Sequence, residues 1–308
     1  MGSVVISLDA ELGWGFHHER PLPAARIRDA RSAWTDLLGL FDEYEIPATW
    51  AVVGHLFLED CAGGHTNHPA GSQCCVDTPA GIPRDDAWFA NGLVDQVAAA
   101  DADHELASHG FSHVHFAHER MNRDLAESEC AAAAETLAPY ASEPRSFVFP
   151  VNEVGYRELL AEHGFACYRG SAPADRGPVE KLWNGLRTRN SPPIVRPAVD
   201  EYGLVNVPAS LYLFCFEGLV RRIIEGVHDD PIVDAVRLGV DALRETDGVL
   251  HLWLHPHNVV DEHDRERMER VLATVDRARR ETDVTVETMG DVAQRVRNDE
   301  PASKPSIV

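Results

Sequence analysis

The sequence predicts an α/β protein, a distorted (β/α)7–8 barrel of parallel strands with helices outside. Three observations carry that expectation. Short β-rich apolar runs alternate with helix-period patterns from end to end. Seven or eight strand candidates fit in one chain, which favours a barrel over an open doubly wound sheet. No glycine-rich phosphate loop follows the first strand, so a nucleotide-binding sheet gains little support.

The elements follow in order. "SVVISLD" (3–9) is the first strand. Ile27, Ala30, Trp34, Leu37, Leu38 and Phe41 then repeat at helical spacing. "PATWAVVG" (47–54) is the second strand, and residues 60–87 read as a long inserted loop. A helix near 88–100 leads to the strand "HELAS", and one near 119–138 precedes "RSFVFP" (145–150). A helix at 154–163 is followed by "FACYR" (165–169) and a proline-rich stretch to about 200. "LVNVPAS" (204–210) is a sixth strand. Helices near 215–228 and 231–245 lead into "GVLHLWLHP" (248–256). Met268, Val271, Leu272 and Val275 mark a long helix, and "DVTVETM" (283–289) is the closing strand. Residues 1–297 make one barrel domain on this reading, with a polar tail at 298–308.

Composition narrows the function. The chain has 308 residues, 44% hydrophobic, enough for a large core. Its net charge is -22, and its only lysines are Lys181 and Lys304. Such a surface repels nucleic acid and anionic membranes, and it suits a salt-adapted (halophilic) cytoplasm. The N-terminus runs straight into a strand without a charged-then-apolar leader, and no apolar run approaches a membrane span. Cys61, Cys74, Cys75, Cys130, Cys167 and Cys215 do not form a disulfide framework, so a reduced, cytoplasmic protein is expected.

Barrel active sites sit at the C-terminal ends of the strands. Reactive residues cluster there. Asp9 and Glu11 end the first strand, and His109 and His113 end the third. Pro150, Val151 and Asn152 end the fourth; His255 and His257 end the seventh. On one helical turn, His109 and His113 would present both imidazoles to one side, which suits a divalent metal. Strand alternation puts residues 9 and 11 on the same side, although such a pair also serves to cap a loop. The loop "CAGGHTNHPAGSQCC" matches no familiar zinc spacing. Its place after strand two suits a substrate lid, with a second metal site as the alternative.

These residues resemble the NodB-homology polysaccharide deacetylases, carbohydrate esterase family 4, along nearly the whole chain. Ser7-Leu8-Asp9-Ala10-Glu11 stands where the family has T-F-D-D-G, and Ala48-Thr49-Trp50-Ala51-Val52-Val53-Gly54 where it has A-T-F-F-V-x-G. His104-Glu105-Leu106-Ala107-Ser108-His109-Gly110-Phe111-Ser112-His113 matches its HE(I/L)xxH(T/S)xxH motif, and Trp253-Leu254-His255 its L-x-H motif. Ala10 replaces the usual metal-binding Asp, as in a divergent branch with an Asp-x-Glu first motif. Val148 stands at the third-motif Arg position, leaving Arg145 or Arg169 to replace it.

The resemblance implies a metal-dependent hydrolase acting on carbon–nitrogen bonds other than peptide bonds. It would remove an acetyl group from an N-acetylated sugar or glycan precursor. Glu11, His109 and His113 would hold a divalent ion, zinc first, with cobalt or nickel as alternatives. Asp9 would be the general base and His255 the proton donor, although Asp9 and Glu11 could exchange roles. Pro150, Val151, Asn152, Trp253 and Arg169 would meet the substrate, with the Val151 N–H helping to hold the oxyanion. The expected partner is a carbohydrate, without nucleic acid or membrane insertion; the oligomeric state stays open. The alternatives are an allantoinase-like or formamidase-like hydrolase on the same barrel, and a non-catalytic glycan-binding relative.

Overall fold

The computed structural model describes residues 2–19, 21–61, 80–90, 92–117, 119, 121–140, 145–171, 191–214 and 230–299. The readings of His65, His68, Cys74 and Cys75 as a lid, and of a helix near 215–228, lie outside the described residues. Among the described residues no helix is long and apolar enough to cross a membrane.

The parallel barrel is observed. β1 (Gly2–Ala10) is buried along its whole length. On its flanks lie β2 (Thr49–Val52) and β9 (Gly248–Leu254), both parallel to it. β3 (Glu105–Ser108), β4 (Arg145–Val148) and β5 (Phe165–Arg169) continue the parallel sheet from β2. β6 (Ala198–Val199) and β7 (Val205–Asn206) extend it beyond β5, and β8 (Leu211–Tyr212) extends it beyond β9. One extended stretch therefore curls the sheet round: it pairs with β5 through Val205 and Asn206, then with β9 through Leu211 and Tyr212. A two-way backbone bridge also joins Val195, just before β6, to Val249 of β9.

The expected closing strand at 283–289 is shorter and sits elsewhere. Only Thr285 and Val286 (β10) pair, and they pair with Ser3 and Val4 of β1. The reason is register. β2 meets β1 only from Ser7 onward, so the first half of that edge is open for β10. The chain then enters α8 (Met289–Asp299), where a polar tail was expected from 298.

The helices form where the apolar period is clear. α1 (Ala24–Glu43) buries Ile27, Ala30, Trp34, Leu37, Leu38 and Phe41 on one stripe, with Trp34 stacked on Trp50 of β2. α2 (Arg84–Trp88) and α3 (Leu93–Ala98) are short. Asn122 caps α4 (Arg123–Leu137) by accepting from the Leu125 N–H. α5 (Arg157–Glu162) precedes β5. Asp230 caps α6 (Pro231–Leu243), and Asp261 caps α7 (Glu262–Glu281).

Alternation along β1 sorts the interior. Val4, Ile6, Leu8 and Ala10 join the large core that packs under the helices, whereas Val5 joins a second cluster inside the barrel. Ala51, Ala107, Val148, Cys167, Val205, Val207 and Val249 share that inner cluster, and Met289, Val292 and Ala293 of α8 plug its floor. Above this dry floor the inward positions turn polar.

Candidate active site

Ser7 and Asp9 are the next inward residues above Val5 on β1, and Arg169 is the inward residue above Cys167 on β5. Arg169 is fully buried. Its guanidinium meets Asp9 as a fork, with Nη1 donating to Oδ1 at 2.7 Å and Nη2 to Oδ2 at 2.6 Å. The remaining donors are also used: Nε and Nη2 donate to Asn152 Oδ1 at 3.0 and 2.8 Å, and Nη1 donates to Ser7 Oγ at 3.0 Å. Arg169 thus lies beneath Asp9, and its polar contacts are with the protein. Arg145 starts β4 at the opposite end of the barrel.

The proton order below Arg169 follows from the partners. His251 Nδ1 faces the Val207 carbonyl at 3.2 Å and must donate to it. Its Nε2, 2.9 Å from Ser7 Oγ, must then accept from the hydroxyl. The hydroxyl oxygen is left to accept from Arg169. Every group is satisfied with His251 neutral, and burial together with Arg169 pushes its pKa down to about 3.

Glu11 follows β1 and is 6% exposed. Its Oε1 lies 3.2 Å from His109 Nε2 and 3.0 Å from His113 Nε2. A Cβ on Gly15 would fall 2.0 Å from Glu11 Oε2, so only glycine leaves room for this carboxylate. His109 Nδ1 lies 2.8 Å from the Val148 carbonyl and donates to it, which would leave Nε2 to ligate an ion. Two imidazole nitrogens and a carboxylate oxygen converging in this way could hold a divalent cation, with spacings that suit ligands about 2.0–2.2 Å from one ion. The residues fit the implied metal.

His109 and His113 do not share a helical turn. Gly110 and His113 both take positive φ, 73° and 60°, and the segment is a tight loop. Spacing by four also arises when a loop folds back on itself. Glu129 of α4 holds this loop: fully buried, it accepts from the N–H groups of Phe111 and Ser112 at 2.8 and 3.0 Å and from Ser112 Oγ at 2.5 Å. Nothing in the local sequence pairs Glu129 with the loop; only the fold does.

His255 reaches over both carboxylates, with Nε2 3.8 Å from Asp9 Oδ2 and 3.5 Å from Glu11 Oε1. Its backbone N–H donates to Asn258 Oδ1 at 3.0 Å, and the Tyr212 hydroxyl donates to the same oxygen at 2.9 Å. Trp253 shares the side of His255: Tyr212 stacks on it at 4.3 Å, and the Arg169 guanidinium lies over it at 4.6 Å. Pro150, Val151 and Asn152 form a single 3-10 turn at the mouth. Val151 has φ 50° and is 48% exposed, an unusual conformation for a β-branched residue. His257 packs against His255 and Phe16 at the same mouth. His104 lies at the other end, accepting from the Ala48 N–H through Nδ1.

Charge follows this geometry. Burial pushes the Asp9 carboxyl up, but Arg169, His109 and His255 outweigh it, and the net shift is downward. Burial also opposes ionisation of Glu11, yet His255, His113 and His109 hold it well below the usual carboxylate range. Burial pulls His255 down, but Glu11 and Asp9 together raise it. The site therefore holds two carboxylates ionised beside an imidazole that favours its proton, a pairing suited to general base and general acid.

Solved structures share this fold. A protein assigned as a polysaccharide deacetylase from Mycobacterium smegmatis superposes with TM-score 0.65 at 18% identity, covering 99% of this chain and 95% of its own. PuuE allantoinase gives 0.63 at 15%, covering 98% and 92%. A protein assigned as a polysaccharide deacetylase from Pseudomonas aeruginosa PAO1 gives 0.62 at 14%, covering 98% and 93%. No protein-family model and no curated protein matches the sequence. The barrel is that of the NodB-type deacetylases and of allantoinase.

Proposed function

We propose that this chain, built on the deacetylase barrel, is a metal-dependent hydrolase that removes an acetyl group from an N-acetylated sugar or glycan precursor. The observation that carries the proposal is the Asp9–Arg169 fork set beside the Glu11, His109 and His113 donor set. It pairs an oriented, ionised base with a cation position, which a protein that only binds glycans does not need. The fork also supplies from β5 an arginine where β4 carries Val148.

Glu11, His109 and His113 would hold the ion, zinc before cobalt or nickel. It would polarise the acyl oxygen and acidify the attacking water. Asp9 takes the proton of that water; both its oxygens are held by the Arg169 fork, so the carboxylate does not rotate. His255 gives its Nε2 proton to the departing nitrogen. The strained turn at Val151 aims its N–H at the developing oxyanion, and Trp253 limits the acyl group to acetyl or formyl. Pro150 and Asn152 complete that wall, Asn152 by bracing Arg169.

Allantoinase shares the fold at nearly the same TM-score, so ring opening of a cyclic amide is the second reading. The lysine-poor acidic coat fits a carbohydrate enzyme of a salty cytoplasm. The test loads metal-stripped protein with zinc, cobalt or nickel and measures acetate released from N-acetylhexosamines and their oligomers, with allantoin in parallel. Acetate release that a chelator abolishes supports the proposal. Turnover of allantoin alone would replace it with the second reading, and no turnover of any amide would leave a binding protein.

A further inference from the structure

Glu11 faces more imidazoles than the proposed reaction uses. Its Oε1 meets His109, His113 and, at 3.5 Å, His255. Its Oε2 lies 3.9 Å from Nδ1 of His257, a buried ring with no part in the reaction described above. That separation is too long for a hydrogen bond, so a hydrogen bond does not explain why the ring is placed there. It is an ordinary separation for two ligands of one cation.

His255 and His257 are held as a pair. Pro256 between them opens a 3-10 turn, their rings stack 4.6 Å apart at 25°, and Phe16 packs on the His257 ring at 4.9 Å. Donor atoms of Glu11, His255 and His257 lie within 4.8 Å of one another, as do those of Glu11, His109 and His113. The two sets share one residue, and a carboxylate has two oxygens to share.

We propose that Glu11 serves two cation positions, and that the second, completed by His255 and His257, is inhibitory. Two imidazoles and one carboxylate favour a borderline ion such as zinc over calcium or magnesium. The second position is the weaker one. Among the described residues two dications would face only Asp9 and Glu11 as anions, with Arg169 adding a third source of positive charge close by, so the second ion enters only when metal is in excess. Inhibition rests on the reading of His255 as proton donor: an ion on Nε2 occupies the lone pair that must carry the proton. Binding itself does not rest on that reading.

The experiment is equilibrium dialysis of the full chain against zinc, with metal per chain measured by elemental analysis. The wild type should bind two zinc ions in two steps, the second at least ten-fold weaker. His257→Phe keeps a ring against Phe16 and His255 but has no donor nitrogen; it should stop at one ion with the first affinity unchanged. His257→Leu repeats the measurement if the phenylalanine variant does not fold. A wild type that saturates at one ion overturns the proposal, as does a folded variant that still binds two. Acetate release should rise and then fall with zinc in the wild type, and only rise in His257→Phe. Two ions in the wild type and one in the variant, without turnover of any amide, would uphold the cation position and remove the hydrolase reading. Turnover with a single ion would do the reverse.

Discussion

Replacing Arg169 with Met tests the Asp9–Arg169 fork. The side chain is fully buried and makes five hydrogen bonds, two of them charged and aimed at Asp9. Methionine fills much of the volume but removes the guanidinium from over Trp253 along with the charge, so the loss is mainly electrostatic. Removing one partner of a buried ion pair costs about 3–5 kcal/mol, because the other charge stays buried without compensation. That is a large share of a typical domain's stability of roughly 5–15 kcal/mol. Asp9 can escape by binding a proton, since burial alone drives its carboxyl upward. Two consequences follow, one for each assay. In guanidinium denaturation at pH 7, Arg169→Met should lose a few kcal/mol, and Arg169→Met with Asp9→Asn should be more stable than the single variant. If Asp9 is the base, as proposed, the acid limb of the acetate-release profile should move to higher pH, because its carboxyl then holds its proton longer. A single variant within about 1 kcal/mol of wild type, or a double variant no better than the single, would refute the orphaned-charge reasoning. An unmoved acid limb would remove Asp9 as the base.

Other variants separate the remaining roles. Glu11→Gln should lower zinc content, whereas Asp9→Asn should keep the zinc and lose turnover; elemental analysis beside rate measurement decides, and the opposite pattern exchanges the two roles. Trp253→Leu should widen acceptance from acetyl to propionyl substrates at unchanged metal content, and an unchanged acyl preference with a lower melting temperature would make Trp253 a packing residue only. His104 and His251 are buried neutral, with pKa values pushed down to about 4 and about 3. Their folded values lie below the unfolded one, so the unfolded chain takes up protons first as pH falls. Stability should be full above about pH 6.5 and decline toward pH 4, by about 2 kcal/mol per histidine at pH 5. His104→Gln, which can still accept from Ala48, should flatten that decline by about one proton. Finally, a net charge of -22 should make the melting temperature rise between low and molar salt, and a salt-independent value would end the salt-adaptation reading.

The parts of the site legible in the sequence were those carried by short-range pattern. Asp9, Glu11 and the His109–His113 motif all end strands that their apolar runs announce. Inward alternation on "FACYR" puts Arg169 on the same face as Cys167, which is the signal that selects it over Arg145. The relay beneath it was not legible: alternation puts Ser7 on the face of Asp9 and His251 on that of His255, but they stand 244 positions apart and nothing local pairs them. Glu129 was hidden for the same reason, lying on a helix face that otherwise reads as alanine. Closure by 205–213 was missed because two short pairings of one stretch look like a single strand. The last helix did leave a signal, since Met289, Val292, Ala293 and Val296 keep helical spacing, but the polar residues around them masked it.

The order of donors from Arg169 through Ser7 and His251 to the Val207 carbonyl fixes more than orientation. A guanidinium does not give up a proton at any pH the protein survives. It also has no lone pair to receive one, so Arg169 breaks the path between Asp9 and the Ser7–His251 column. A proton picked up by Asp9 has no exit through the floor of the barrel. It can leave only across the mouth, where His255 Nε2 waits 3.8 Å away. Arg169 thus closes the floor to protons, and on the proposed reading of Asp9 as base the proton it takes returns through the mouth.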